Sequence, residues 1–172
     1  MTDENRRLIV MRHAKAEPFA AGGDQDRVLA ARGLQDAAEA GRWAARNGVA
    51  PDHVVVSSAA RTRGTWDGFA AAHGACPIPV IDRSLYAAGT DGAFEILRSV
   101  PPEARTVMLV GHNPTMAYLV HLLDDGGADP DVFAAVMAGY PTSALTVLDV
   151  AVPWADVDTA TARIRRFHVG RG

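Results

Sequence analysis

Two unbroken apolar runs, Leu8-Ile9-Val10-Met11 and Val107-Met108-Leu109-Val110, constrain this chain more than any other feature. A strand with one face in water alternates apolar and polar residues, whereas a run apolar at every position needs cover on both faces. Each run is closed by a polar pair, Arg12-His13 in the first and Gly111-His112 in the second. A third run, Val54-Val55-Val56-Ser57-Ser58, reaches Arg61 within about one helical turn. In open sheets of parallel strands, ligands gather at the carboxyl ends. Two imidazoles and two guanidiniums are therefore expected on one sheet edge, a set suited to a phosphoryl group.

The segments between these runs read as helices and turns. The spacing predicts a strand over 7–13, a loop over 14–26 with the flexible pair Gly22-Gly23, and a helix over about 30–47 closed by Gly48. A strand over 54–57 and a helix over 59–73 stopped by Gly74 follow. Then come a short extended piece over 77–81 and a loop over 85–89. A helix from Thr90 or Asp91 to Val100 stops at Pro101-Pro102, which cannot continue it. Next are a strand over 106–111, a helix opening at Pro114, a polar stretch over 124–130 and a short helix over 131–138. Segments 145–150 and 161–169 read as neighbouring antiparallel strands at one sheet edge. The order specifies an α/β fold: a three-layer α/β/α sandwich with a mostly parallel sheet and an antiparallel edge. All 172 residues are assigned to a single domain.

Composition narrows the function classes. A net charge of -3 does not advertise nucleic acid or an anionic membrane as a partner. No apolar run approaches the roughly 20 residues of a membrane span. The polar start over residues 1–7 has no long apolar segment behind it, so no secretory signal is expected. Cys76, the only cysteine, cannot form an internal disulfide and fits a reducing compartment. A cytoplasmic location is the expectation. Lys15 is the only lysine, so nearly all basic charge is arginine, and only arginines placed by a motif carry an argument.

His13 alone would read as a buried histidine satisfied locally. Arg12 beside it changes that, because a guanidinium at a buried strand needs an anion. Neutral imidazole is a competent nucleophile toward phosphorus and titrates near physiological pH, so His13 is the candidate nucleophile. Arg12 and Arg61 offer planar forks that match phosphate oxygens, and a phosphoryl group in transfer needs such fixed charge. A cation at the start of a helix, as at Arg61, is disfavoured by the helix dipole and hints at a nearby anion. Arg63 points elsewhere and reads equally as a structural ion-pair former. His112, at a strand-to-helix turn with Pro114 and Gly111, is the candidate for stabilising the transition state. Lys15 is added to the substrate-binding set. His53, His73, His121 and His168 show no pairing of the kind a metal needs. There is no glycine-rich nucleotide loop, and neither a metal nor another cofactor is expected.

These residues resemble the histidine phosphatase superfamily, which includes the phosphoglycerate mutases, and most resemble its small SixA-like branch of phosphohistidine phosphatases. The similarity runs through Arg12-His13-Ala14-Lys15, Asp26-Arg27-Val28-Leu29, Arg32-Gly33, Asp36-Ala37 and Ser57-Ser58-Ala59-Ala60-Arg61-Thr62-Arg63-Gly64-Thr65. It continues through Leu85-Tyr86-Ala87, Val110-Gly111-His112-Asn113-Pro114 and Pro141-Thr142-Ser143-Ala144. The resemblance implies a phosphoglycerate mutase-like fold, His13 as the phosphorylated residue, and Arg12, Arg61 and His112 completing the phosphate pocket. The chain has Gly64 and Ser58 where the family commonly has Gln and Pro. Mutase-like members also carry a glutamate general acid in the region of Leu85-Tyr86, where this chain has no carboxylate. Asp82 is the nearest candidate, with Asp24 and Asp26 as alternatives.

An alkoxide leaves poorly without a proton donor, whereas the P–N bond of phosphohistidine breaks with a better leaving group. The leading expectation is therefore a metal-independent phosphatase acting on phosphohistidine in a protein. Hydrolysis of a small phosphomonoester or phosphoanhydride is the alternative within enzymes. A phosphate-sensing or partner-binding module with little turnover is the alternative outside them, although such a module has no need of a nucleophile beside its phosphate ligands.

Overall fold

The computed structural model describes residues 6–172; most of the polar start read above for the lack of a signal lies outside that range. The apolar runs become the two central strands, β1 (Arg6–Arg12) and β4 (Thr106–Gly111), which pair in parallel from Arg7↔Thr106 to Arg12↔Gly111. Beyond β4 lie β2 (His53–Ser57) and the short β3 (Val80–Asp82), both parallel to their neighbours. On the other side, β5 (Ala144–Val150) and β6 (Ala162–Val169) run antiparallel, and the sheet order is β3-β2-β4-β1-β5-β6. This is the mostly parallel sheet with an antiparallel edge that the patterning predicts.

Alternation within the buried strands divides the core into two layers. Leu8, Val10, Val107 and Leu109 face one side, where they pack with Phe94 and Leu97 of α4 (Thr90–Arg98), Met116, Leu119 and Val120 of α5 (Thr115–Leu123) and Val136 of α6 (Pro130–Met137). Ile9, Met11, Met108 and Val110 face the other side, against Ala40 and Ala44 of α1 (Ala31–Arg46) and Trp66 and Phe69 of α2 (Ala60–His73). Both faces of the sheet are covered, and for that reason residues 8–11 of β1 and 107–110 of β4 include no polar positions.

Boundaries move by a residue or two from the expected ones, the usual behaviour of fraying ends. Two local readings change more. The segment expected as a loop over 85–89 begins inside a one-turn helix, α3 (Ser84–Ala87). The Oδ1 of Asp82 accepts from the Ser84 amide at 2.6 Å, the Leu85 amide at 3.2 Å and the Ser84 hydroxyl, so one carboxylate organises that turn. The extended piece over 77–81 enters the sheet only at Val80, consistent with two prolines that cannot donate to a ladder.

Candidate active site

Every strand end that matters to the site meets at the carboxyl edge of the parallel strands. The His13 amide donates to the Gly111 carbonyl at 3.0 Å, joining the ends of β1 and β4. The His13 Nδ1–H donates to the carbonyl of Ala14 at 2.7 Å. A neutral ring held that way carries its lone pair on Nε2, which has no hydrogen-bond partner among the described residues and is not sealed inside protein. Burial, reinforced by the charges of Arg61 and Arg12, lowers the His13 pKa from 6.5 to about 4 in spite of that bond. His13 is neutral at physiological pH.

His112 lies beside it, the ring centroids 5.3 Å apart. Its Nε2 shares a hydrogen bond of 2.8 Å with the hydroxyl of Ser57, at the end of β2. Burial, with Arg61 and His13 adding repulsion, lowers its pKa to about 3. Gly111 serves packing here: a side-chain carbon there would stand 2.9 Å from the Met116 sulfur.

The two arginines are held by different devices. Arg12 Nη1 donates to the Tyr140 carbonyl at 3.1 Å, which also accepts from Asn113 Nδ2 at 2.8 Å. Arg61 is 6% exposed, and its Nη1 and Nη2 donate to the backbone and side-chain oxygens of Asp24 at 2.8 and 3.0 Å. Arg12 Nε, Arg61 Nε and His112 Nδ1 are buried without a hydrogen-bond partner among the described residues. Unpartnered buried nitrogens at one locus are costly unless an anion joins them. His13, Arg12, Arg61 and His112 thus come together as expected.

The remaining candidates separate from this set. The Lys15 side chain is exposed and makes no hydrogen bond or ion pair among the described residues. Asp24 is at the site, but as the anion on Arg61: hydrogen bonds from Tyr86 (2.6 Å), Arg61 and Arg27 hold its carboxyl well below the usual carboxylate range. An acid that is ionised at all neutral pH values cannot donate a proton there. Asp82 is committed to the turn of α3. Asp26 is exposed on the 3-10 turn Asp24–Asp26. Arg63 is likewise exposed and forms no ion pair among the described residues.

Sequence reasoning missed four participants: Ser57, Tyr86, Arg27 and Ser143. Tyr86 meets His112 edge-on at 5.5 Å and carries the Arg61 guanidinium 5.9 Å from its ring centre. The positive charge of Arg27 reaches His13. The Ser143 amide donates to the His13 carbonyl at 3.1 Å. These contacts span from 14 to 130 residues of sequence, and no local pattern announces them. Hydroxyls and a tyrosine inside segments already marked by the motifs were the only available signal.

The profile of the histidine phosphatase superfamily (branch 1) matches residues 8–85. An uncharacterised protein of Mycobacterium tuberculosis is 37% identical over 163 residues, covering 94% of this chain and 100% of its own length. Among solved structures, the provisionally named phosphohistidine phosphatase SixA of Nakamurella multipartitia superposes with a TM-score of 0.82 at 33% identity, covering 96% of each chain. The provisionally named SixA of Agrobacterium tumefaciens gives 0.79 at 32% identity, covering 95% of this chain and 97% of its own. With a family profile on the segment that carries His13 and Arg61, and relatives of this similarity along nearly its whole length, the chain belongs to the histidine phosphatase superfamily, in its SixA-like branch.

Proposed function

We propose that this protein is a metal-independent phosphatase that passes a phosphoryl group through His13, and that its substrate is phosphohistidine in a protein. The observation that carries the covalent route is the held tautomer of His13, with Nδ1–H fixed on the Ala14 carbonyl and Nε2 free in a cationic setting. Nε2 attacks phosphorus, the bond from phosphorus to the leaving group breaks, and the phosphoryl group resides on His13. Water then attacks that phosphorus, releasing phosphate and returning neutral His13. Arg12 and Arg61 supply fixed positive charge to the equatorial oxygens throughout, and His112 offers a further hydrogen bond.

Phosphohistidine is favoured because, among the described residues, Asp24 and Asp82 are the carboxylic acids nearest the site and neither is free to protonate an alkoxide. Asp24 is ionised on Arg61, and Asp82 is bound to backbone amides. The SixA-type names of the Nakamurella and Agrobacterium relatives support the same class. The test is to react the protein with a phosphohistidine-bearing protein, quench in alkali, and map the phosphoryl group. It is expected on His13 and absent from a folded His13→Ala variant, which turns nothing over. Sustained turnover by that variant, or inhibition of the wild type by chelators with rescue by one divalent ion, overturns the proposal.

A further inference from the structure

The end of the sheet opposite His13 carries a second concentration of arginine. Arg7, near the start of β1, pairs in register with Asp149 of β5, and its Nε lies 3.8 Å from that carboxylate. Arg165 Nε donates to the other Asp149 oxygen at 2.7 Å. Arg166 Nη1 donates to the Asn47 carbonyl at the end of α1, at 2.9 Å. These four side chains, with Val49 and Val147, line one recess of about 270 Å³. Three guanidiniums face one carboxylate, leaving a surplus of two positive charges. Both Asp149 oxygens are engaged, so among the described residues nothing that lines the recess neutralises that surplus.

A bulge in β6 creates this convergence. Consecutive residues of a regular strand face opposite sides of the sheet. The register passes from Leu148↔Ile164 to Val147↔Arg166, so Arg165 is one residue too many. An inserted residue re-aims the side chains beside it, and here Arg165 and Arg166 both enter the same recess. The floor is apolar: Val49 and Val147 are buried. A row of forked donors above a small apolar floor matches an anion with a short organic body.

We propose that this recess is a binding site for a small phosphomonoester dianion, separate from the site at His13. Arg7 and Arg12 are five residues apart on one strand, roughly 17 Å at 3.3 Å per residue, so one ligand phosphate cannot serve both. The proposal does not depend on the reaction assigned to His13. The probe is phenylphosphonate, a phosphomonoester analogue that cannot be hydrolysed, titrated calorimetrically at low salt. Wild type is expected to bind two equivalents. Arg12→Ala should retain the recess equivalent, and Arg165→Gln with Arg166→Gln should retain the other while weakening the recess equivalent at least tenfold. Arg42→Gln, an exposed arginine of α1, is the control for general electrostatics. A single equivalent in wild type that is lost on combining Arg165→Gln with Arg166→Gln supports the proposal, whereas a single equivalent that this variant leaves unweakened overturns it. So does equal weakening by Arg42→Gln, or binding of inorganic phosphate at the recess without phenylphosphonate.

Discussion

At the scale of single residues, Asp24 is the carboxylate that holds the Arg61 guanidinium. Its carboxylate occupies Arg61 Nη2 and the Tyr86 hydroxyl, groups that an incoming phosphoryl anion also seeks. Asp24→Asn removes a competing charge while keeping an oxygen that can accept. The expected result is severalfold tighter binding of vanadate and phosphate, with kcat on a phosphoramidate changed less than the affinity. Were Asp24 instead the proton donor, kcat would fall and anion affinity would stay put, so inhibition constants and kcat together separate the two roles. The four residues at the heart of the site were legible because each ends or follows a recognisable run. Asp24 was legible only as a nearby acid, since its partnership with Arg61 bridges 37 residues through a loop without periodicity. Lys15 is a neighbour of His13 in sequence, yet its side chain is exposed. Proximity to His13 in sequence says nothing about direction once the strand has ended, and the chain there turns the side chain to solvent.

Among elements, the close approach of α1 to α2 rests on a glycine. Gly41 lies under the backbone of Phe69: a side-chain carbon at Gly41 would stand 2.2 Å from the Phe69 carbonyl oxygen. Backbone cannot yield as a flexible side chain can. Alanine is the better helix former by about 1 kcal/mol, yet overpacking of this kind costs about 1–3 kcal/mol. Gly41→Ala is therefore expected to lower the midpoint of chemical denaturation, and an unchanged or raised midpoint would show that the two helices slide apart freely. The strands and long helices were legible because burial on both faces leaves only apolar residues, and glycine or proline marks the stops. Helix α3 was not. Four residues are too few for a period to show, and the turn rests on contacts from Asp82 rather than on propensity.

For the whole molecule, the edge of the sheet places two neutral histidines among arginines, and both acid stability and substrate choice follow from that. The folded pKa values of His13 and His112 lie at about 4 and about 3, below the ordinary 6.5. Between pH 6.5 and 4 the unfolded chain holds more protons than the folded one, so these groups make stability fall as pH drops through that window. The acid limb of kcat/KM for the free enzyme is expected near 4; a limb near 6.5 would show that His13 is not desolvated. On the proposed mechanism the same arrangement supplies nucleophile and charge but, among the described residues, no free acid, which ties rate to the leaving group. Expelling an alkoxide needs a proton in the transition state, whereas imidazole departs once its own nitrogen is protonated. A steep fall of kcat/KM with leaving-group pKa is expected across monoesters, with phosphohistidine proteins and phosphoramidates fastest, aryl phosphates between, and glycerophosphate slowest. A flat profile would mean that a proton donor reaches the leaving group after all. Asp82→Asn then becomes the decisive variant, because loss of alkyl-ester turnover alone would show that its carboxylate leaves the turn of α3 to act as the acid.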